Sequence, residues 1–66
     1  MFDRRRLQAQ MVLKGINAKE LSKAIGINES TLYRKMNNDG DFSRQEINKI
    51  IEVLEIENPM DIFFAR

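Results

Sequence analysis

Asn17-Ala-Lys-Glu-Leu21-Ser22-Lys-Ala-Ile25-Gly26-Ile27-Asn28-Glu29-Ser30-Thr31-Leu32-Tyr33-Arg34-Lys35-Met36 is the stretch on which the fold of this 66-residue chain turns. Leu21 and Ile25, then Leu32 and Met36, recur at a spacing of four, which sets each pair on one face of a helix. Gly26 lies between the two periodic runs, where the chain has to turn and where a residue without Cβ takes the left-handed backbone freely. Two short helices meeting at a glycine form the layout of a helix-turn-helix, whose second helix is the right width for the DNA major groove. An ordinary helical hairpin shares the periodicity. The joint placement favours the helix-turn-helix: a small Ser22 inside the first helix, Gly26 at the corner, and Leu21, Ile25, Ile27 and Leu32 as the lock.

Working outward, the starts and stops of further helices fall into register with these two. Asn17, Asn28 and Ser43 are capping residues, each preceded by an apolar residue (Ile16, Ile27, Phe42) and followed by another at the fourth helical position (Leu21, Leu32, Ile47). That spacing makes a hydrophobic staple across the first turn. Glu20 after Asn17 and Glu46 after Ser43 complete capping boxes. Asn58-Pro59 begins one more short helix, with proline where a missing N–H costs nothing. Each of the three glycines follows an apolar segment and reads as a helix stop. Five helices are predicted, over about 4–14, 18–25, 29–37, 44–54 and 59–64. The expected core is Leu7 and Met11, Leu21 and Ile25, Leu32 and Met36, the stripe Ile47, Ile50, Ile51 and Leu54, and Ile62 with Phe63 or Phe64. No β pattern, repeat or linker is evident. The fold class is all-α, a single domain over residues 1–66 with its helix-turn-helix at about 18–37.

Composition narrows the chemistry. Sixty-six residues support one small core. Without cysteine or histidine the chain forms neither a disulfide framework nor a zinc site. The same absence leaves no conventional nucleophile–base pair, and no glycine-rich phosphate loop is present. An enzyme is not expected, nor a cofactor, a metal or a small-molecule ligand. No run is long enough to span a membrane, and no apolar signal segment follows Met1-Phe2-Asp3-Arg4-Arg5-Arg6. The expected location is the cytoplasm. Net charge is only +1, but it is unevenly divided: residues 1–38 hold eight basic and three acidic residues, a net +5, whereas residues 39–66 hold three basic and seven acidic, a net −4. A basic face for a polyanion with an acidic face turned away fits this division; so does the uneven charge common among short helices.

With Leu32 and Met36 facing inward, the outward face of the third helix presents Glu29, Ser30, Tyr33 and Arg34, with Asn28 at its tip. These five are the candidate base contacts, since a recognition helix reads bases mainly through its amino-terminal half. Arg34 matches a guanine edge with two donors, and Ser30 bonds almost any base. Tyr33 suits a thymine methyl or a phosphate, or serves as half-buried packing. Glu29 either accepts from a cytosine amino group while repelling wrong sequences, or is a first-turn acid favoured by the helix dipole. Candidate phosphate contacts are Asn17 and Lys19 at the start of the second helix and Lys35, Asn37 and Asn38 after the third. Asn37 and Asn38 also suit turn geometry alone. Arg4, Arg5 and Arg6 read either as a solvated helix start or as a nucleic-acid arm.

The segment Glu20-Leu-Ser-Lys-Ala-Ile-Gly-Ile-Asn-Glu-Ser-Thr-Leu-Tyr-Arg-Lys-Met36 resembles the helix-turn-helix signature of the Cro/C1-type (XRE-type) phage repressors. Gly40-Asp-Phe-Ser-Arg-Gln-Glu-Ile47 and Asn58-Pro-Met-Asp-Ile-Phe-Phe64 look like a subgroup of short Cro-like proteins of phages and prophages. The resemblance implies a compact, lambda-repressor-like five-helix domain. In that family the third helix binds double-stranded operator DNA, commonly as a homodimer on a near-palindromic site, in a bacterial host cell. It carries base contacts to Asn28, Glu29, Ser30, Tyr33 and Arg34 and backbone approach to Asn37 and Asn38. One position departs from the pattern: many members open the second helix with a phosphate-clamping glutamine, where this chain has Ala18, leaving Asn17 or Lys19 to take that contact. The reading from another class is a protein-interaction module or antirepressor, motivated by the acidic second half and the apolar end Ile62-Phe63-Phe64.

Overall fold

Short polar side chains set the start of four helices. Asp3, Asn17, Asn28 and Ser43 each accept a hydrogen bond from the backbone N–H three residues on, satisfying a donor that has no partner inside its own helix. At Asn17 and Ser43 the reciprocal bonds from the cap amides to Glu20 and Glu46 are also present, at 3.1 and 2.8 Å. The computed structural model describes residues 1–64. Among them it contains α1 (Arg4–Lys14), α2 (Ala18–Ile25), α3 (Glu29–Asn37), α4 (Arg44–Leu54) and α5 (Pro59–Phe63), and no strand. This is the all-α, five-helix domain that the periodicity predicts, within 28 × 23 × 19 Å.

The corner between α2 and α3 is built as expected. Gly26 is left-handed, with φ 80° and ψ 28°. The Ile27 N–H reaches back to the Ser22 carbonyl at 3.0 Å, closing the helix end. The same closure ends α4, where no glycine marks it: Glu55 adopts φ 50°, and the Ile56 N–H donates to the Ile51 carbonyl at 3.0 Å. Ile56 is then buried, so the apolar residue after the turn accounts for the stop.

Leu7 from α1, Leu21 from α2, Leu32 from α3, and Ile50 and Leu54 from α4 have no exposed surface. Each fully buried side chain of this kind contributes roughly 1.5–3 kcal/mol relative to exposure. α2 packs on both α3 and α4, while α1 packs on α4 and α5, so α2 and α4 form the spine that carries α3. Two expectations for the core are refined, and one residue joins it unannounced. Ile47 and Ile51 flank the α4 stripe half-buried, with Ile50 and Leu54 beneath. α5 ends at Phe63, which is buried with Ile62, while Phe64 turns outward. Phe2, to which the sequence assigns no role, closes an aromatic cluster with Phe42 and Phe63, at centroid separations of 5.8 and 5.9 Å. The Phe2 ring lies over Gly40, where a Cβ would come within 2.7 Å of its Cδ1. The Asp3 N–H donates to the Ile62 carbonyl at 2.6 Å, joining the start of α1 to α5.

Candidate nucleic-acid interface

α3 is fastened by one face and open on the other. Leu32 and Met36 are buried and Thr31 is partly so, whereas Glu29, Ser30, Tyr33, Arg34 and Asn37 are exposed. Positions 29, 30, 33, 34 and 37 lie on a single helical face. Tyr33 is 43% exposed, so its ring is partly packed and its hydroxyl has no partner among the described residues. Neither Glu29 nor Arg34 is ion-paired among the described residues. An exposed polar face with no ion pair of its own can bond to groups on another molecule.

Asn28 does two things at the helix tip. Its Oδ1 accepts from the Thr31 N–H at 2.7 Å and from the Ser30 hydroxyl at 2.9 Å. The serine hydroxyl therefore keeps its acceptor capacity, and the asparagine keeps its amide donors. The amides of Glu29 and Ser30 have no acceptor within the helix, as in any first turn.

At the start of α2, Asn17 and Lys19 are exposed and Ala18 is buried. Asn17 holds the Glu20 N–H at 2.8 Å through Oδ1. Position 18 serves packing, with exposed Asn17 and Lys19 on either side. Among the described residues Ser22 is the only buried polar one, and its hydroxyl donates to the Lys19 carbonyl at 2.8 Å. Its smallness and its self-satisfied hydroxyl explain why a polar residue is tolerated between α2 and its neighbours.

Lys35 is placed differently from the other expected contacts. Its ammonium lies 3.1 Å from Glu46 Oε1 and donates to the Asp41 carbonyl at 3.0 Å, with its side chain 19% exposed. Glu46 Oε1 also accepts the Ser43 N–H. Burial raises the pKa of this carboxyl, but the Ser43 amide and the Lys35 ammonium outweigh it, and the net effect is a lowered value. One carboxylate thus caps α4 and ties the end of α3 to it. Sequence reading finds the cap half of this arrangement; the link to Lys35, 11 residues away, is made by tertiary packing and leaves no local signal.

Asn37, the last residue of α3, and Asn38, its C-cap, remain exposed where the loop to α4 begins. That loop is shaped by two successive left-handed residues, Asp39 and Gly40, at φ 56° and 69°, and the Gly40 N–H returns to the Lys35 carbonyl at 3.0 Å. Among the described residues, no helix is long and apolar enough to cross a membrane.

No curated protein and no solved structure matches the chain. The family model of the Cro/C1-type HTH DNA-binding domain matches residues 6–64, from the first turn of α1 to the residue after α5. With the helix-turn-helix in place and the match covering nearly the whole chain, the protein belongs to the Cro/C1-type HTH DNA-binding domain family.

Proposed function

We propose that this domain is a sequence-specific transcriptional regulator of the Cro-like repressor type, which occupies a phage or prophage operator in the bacterial cytoplasm by laying α3 in the major groove. The observation that carries this reading is the exposed face of Glu29, Ser30, Tyr33 and Arg34, left without ion pairs inside the domain while Leu32 and Met36 anchor the helix from behind. In this reading Arg34 is the principal base reader, Ser30 and the Asn28 amide assist at the tip, Tyr33 contacts a thymine methyl or a phosphate, and Glu29 discriminates against wrong sequences. Asn17, Lys19, Asn37 and Asn38 fix the register on the backbone. Lys35 acts one step back, by holding the end of α3 against Glu46. A homodimer on a near-palindromic operator completes the proposal, with residues 1–66 as its single DNA-binding domain.

Of the apolar end that motivates a protein partner instead, Ile62 and Phe63 belong to the core and only Phe64 is free. Selection of binding sites from random duplex DNA by the purified protein tests the proposal. A recovered consensus, bound with steep salt dependence, supports it. Failure to retain any duplex at low salt favours the protein-interaction reading.

A further inference from the structure

Arg4-Arg5-Arg6 is the densest positive run in the chain, and the structure divides it. Arg6 is neutralised within the domain: Nε lies 3.3 Å from Asp3 Oδ2, and Nη1 3.7 Å from Asp61 Oδ2. Arg4 and Arg5 are exposed, and among the described residues neither has a carboxylate within ion-pairing distance. They hold the first two positions of α1, whose first turn contains no acidic residue. Cations there oppose the helix dipole, so the isolated domain gains nothing from them.

Their location supplies the missing partner. The Phe2 N–H donates to Asp39 Oδ1 at 3.4 Å, the Phe2 ring lies over Gly40, and the Asp3 N–H is fixed to Ile62. The backbone just ahead of α1 is therefore strapped to the loop that directly follows Asn37 and Asn38. Arg4 is two residues from Phe2, at most about 7 Å along the backbone. Two exposed, unpaired arginines thus spring from backbone anchored beside the loop that follows the recognition helix, on a segment whose own packing does not need them.

We infer that Arg4 and Arg5 form a second phosphate grip, outside the helix-turn-helix, which holds the DNA backbone on the same flank as Asn37 and Asn38. The grip rests on the DNA-binding reading above and adds affinity without sequence information. It leaves Arg6 out, because that side chain is already engaged.

The test compares the full chain with the Arg4→Gln/Arg5→Gln, Arg4→Lys/Arg5→Lys and Arg6→Gln variants, on the selected operator and on a scrambled duplex. Each phosphate contact adds about 0.9 to the slope of log affinity against log salt. The double glutamine variant should lose about 1.8 of that slope, so that between about 50 and 200 mM salt its affinity falls about twelve-fold less than that of the parent. The loss should be the same on both duplexes. The double lysine variant should keep the parental slope, since charge is what the contact needs, and Arg6→Gln should keep it too. An unchanged melting temperature for the glutamine pair separates lost contacts from lost fold. A parental slope in the double glutamine variant overturns the inference, as does an equal loss in the double lysine variant. If the parent itself binds neither duplex, the DNA-binding reading fails, and the grip with it.

Discussion

Replacing Gly40 with alanine tests how the amino-terminal segment is locked onto the α3–α4 loop. Gly40 has φ 69°, where an L residue with a Cβ is strained by roughly 1–2 kcal/mol. The added Cβ would also lie 2.6 Å from Phe2 Cβ and 2.7 Å from its Cδ1, closer than packed carbon atoms approach, so the ring has to leave. Phe2 is partly buried against Phe42 and Phe63. Expelling it forfeits two aromatic contacts of roughly 0.5–1.5 kcal/mol each, and some apolar burial besides. Gly40→Ala should then cost about 3–4 kcal/mol and Phe2→Ala about 2–3 kcal/mol. Those are large fractions of the roughly 3–10 kcal/mol available to a domain of this size.

The double variant should cost only about 4 kcal/mol, because once the ring is gone the alanine contributes its backbone strain and one contact with the Cβ left at position 2, which the segment freed from Phe42 and Phe63 relieves by shifting. Urea unfolding of the parent, the two single variants and the double variant measures the coupling directly, with an expected value near 2 kcal/mol. Costs that add to within about 0.5 kcal/mol would show that Gly40 and Phe2 do not share the space the structure gives them.

Three other perturbations follow from the same geometry. Arg34→Ala should weaken operator binding by about 1–3 kcal/mol and relax preference at one base pair; equal weakening on every duplex in a binding titration would make Arg34 a phosphate contact instead. Because the Glu46 carboxyl titrates below its usual value in the folded state, its contribution is complete at neutral pH and is withdrawn as the pH falls through that lowered value. Urea midpoints taken from about pH 6 down to about pH 3 should decline less steeply for Glu46→Gln, and identical acid limbs would remove Glu46 from the account. Glu55→Gly should raise stability by about 0.5–1 kcal/mol, since it relieves a left-handed non-glycine residue at φ 50° and sacrifices only an exposed pair with Lys14; a lower melting temperature would refute that reading.

The helix starts were legible because their causes are local. A cap oxygen, an amide three residues away and a flanking apolar pair all lie within one turn, so Asn17, Asn28 and Ser43 announced α2, α3 and α4 in the sequence. The outward face of α3 followed from the inward positions of Leu32 and Met36, and those depend only on spacing. What stayed hidden depends on contacts between distant segments. The inward turn of Lys35 requires Glu46 to be brought beside it. The role of Phe2 requires residues 40, 42 and 63 to converge. The division of the arginine run requires Asp61 to stand next to Arg6 but not beside its neighbours. The end of α4 has no glycine to mark its mechanism, because Glu55 performs a turn usually given to glycine.

The aromatic cluster of Phe2, Phe42 and Phe63 draws on the segment before α1, the segment before α4, and α5 itself. A nascent chain whose α5 is still inside the ribosome has no Phe63 to offer and no Ile62 carbonyl for Asp3 to reach. The α3–α4 loop therefore acquires its final bracing only after synthesis has passed α5. Assembly of this domain is a late, collective event, in which a lesion in α5 is felt at Phe2 and Asp3, and through them at the end of α3.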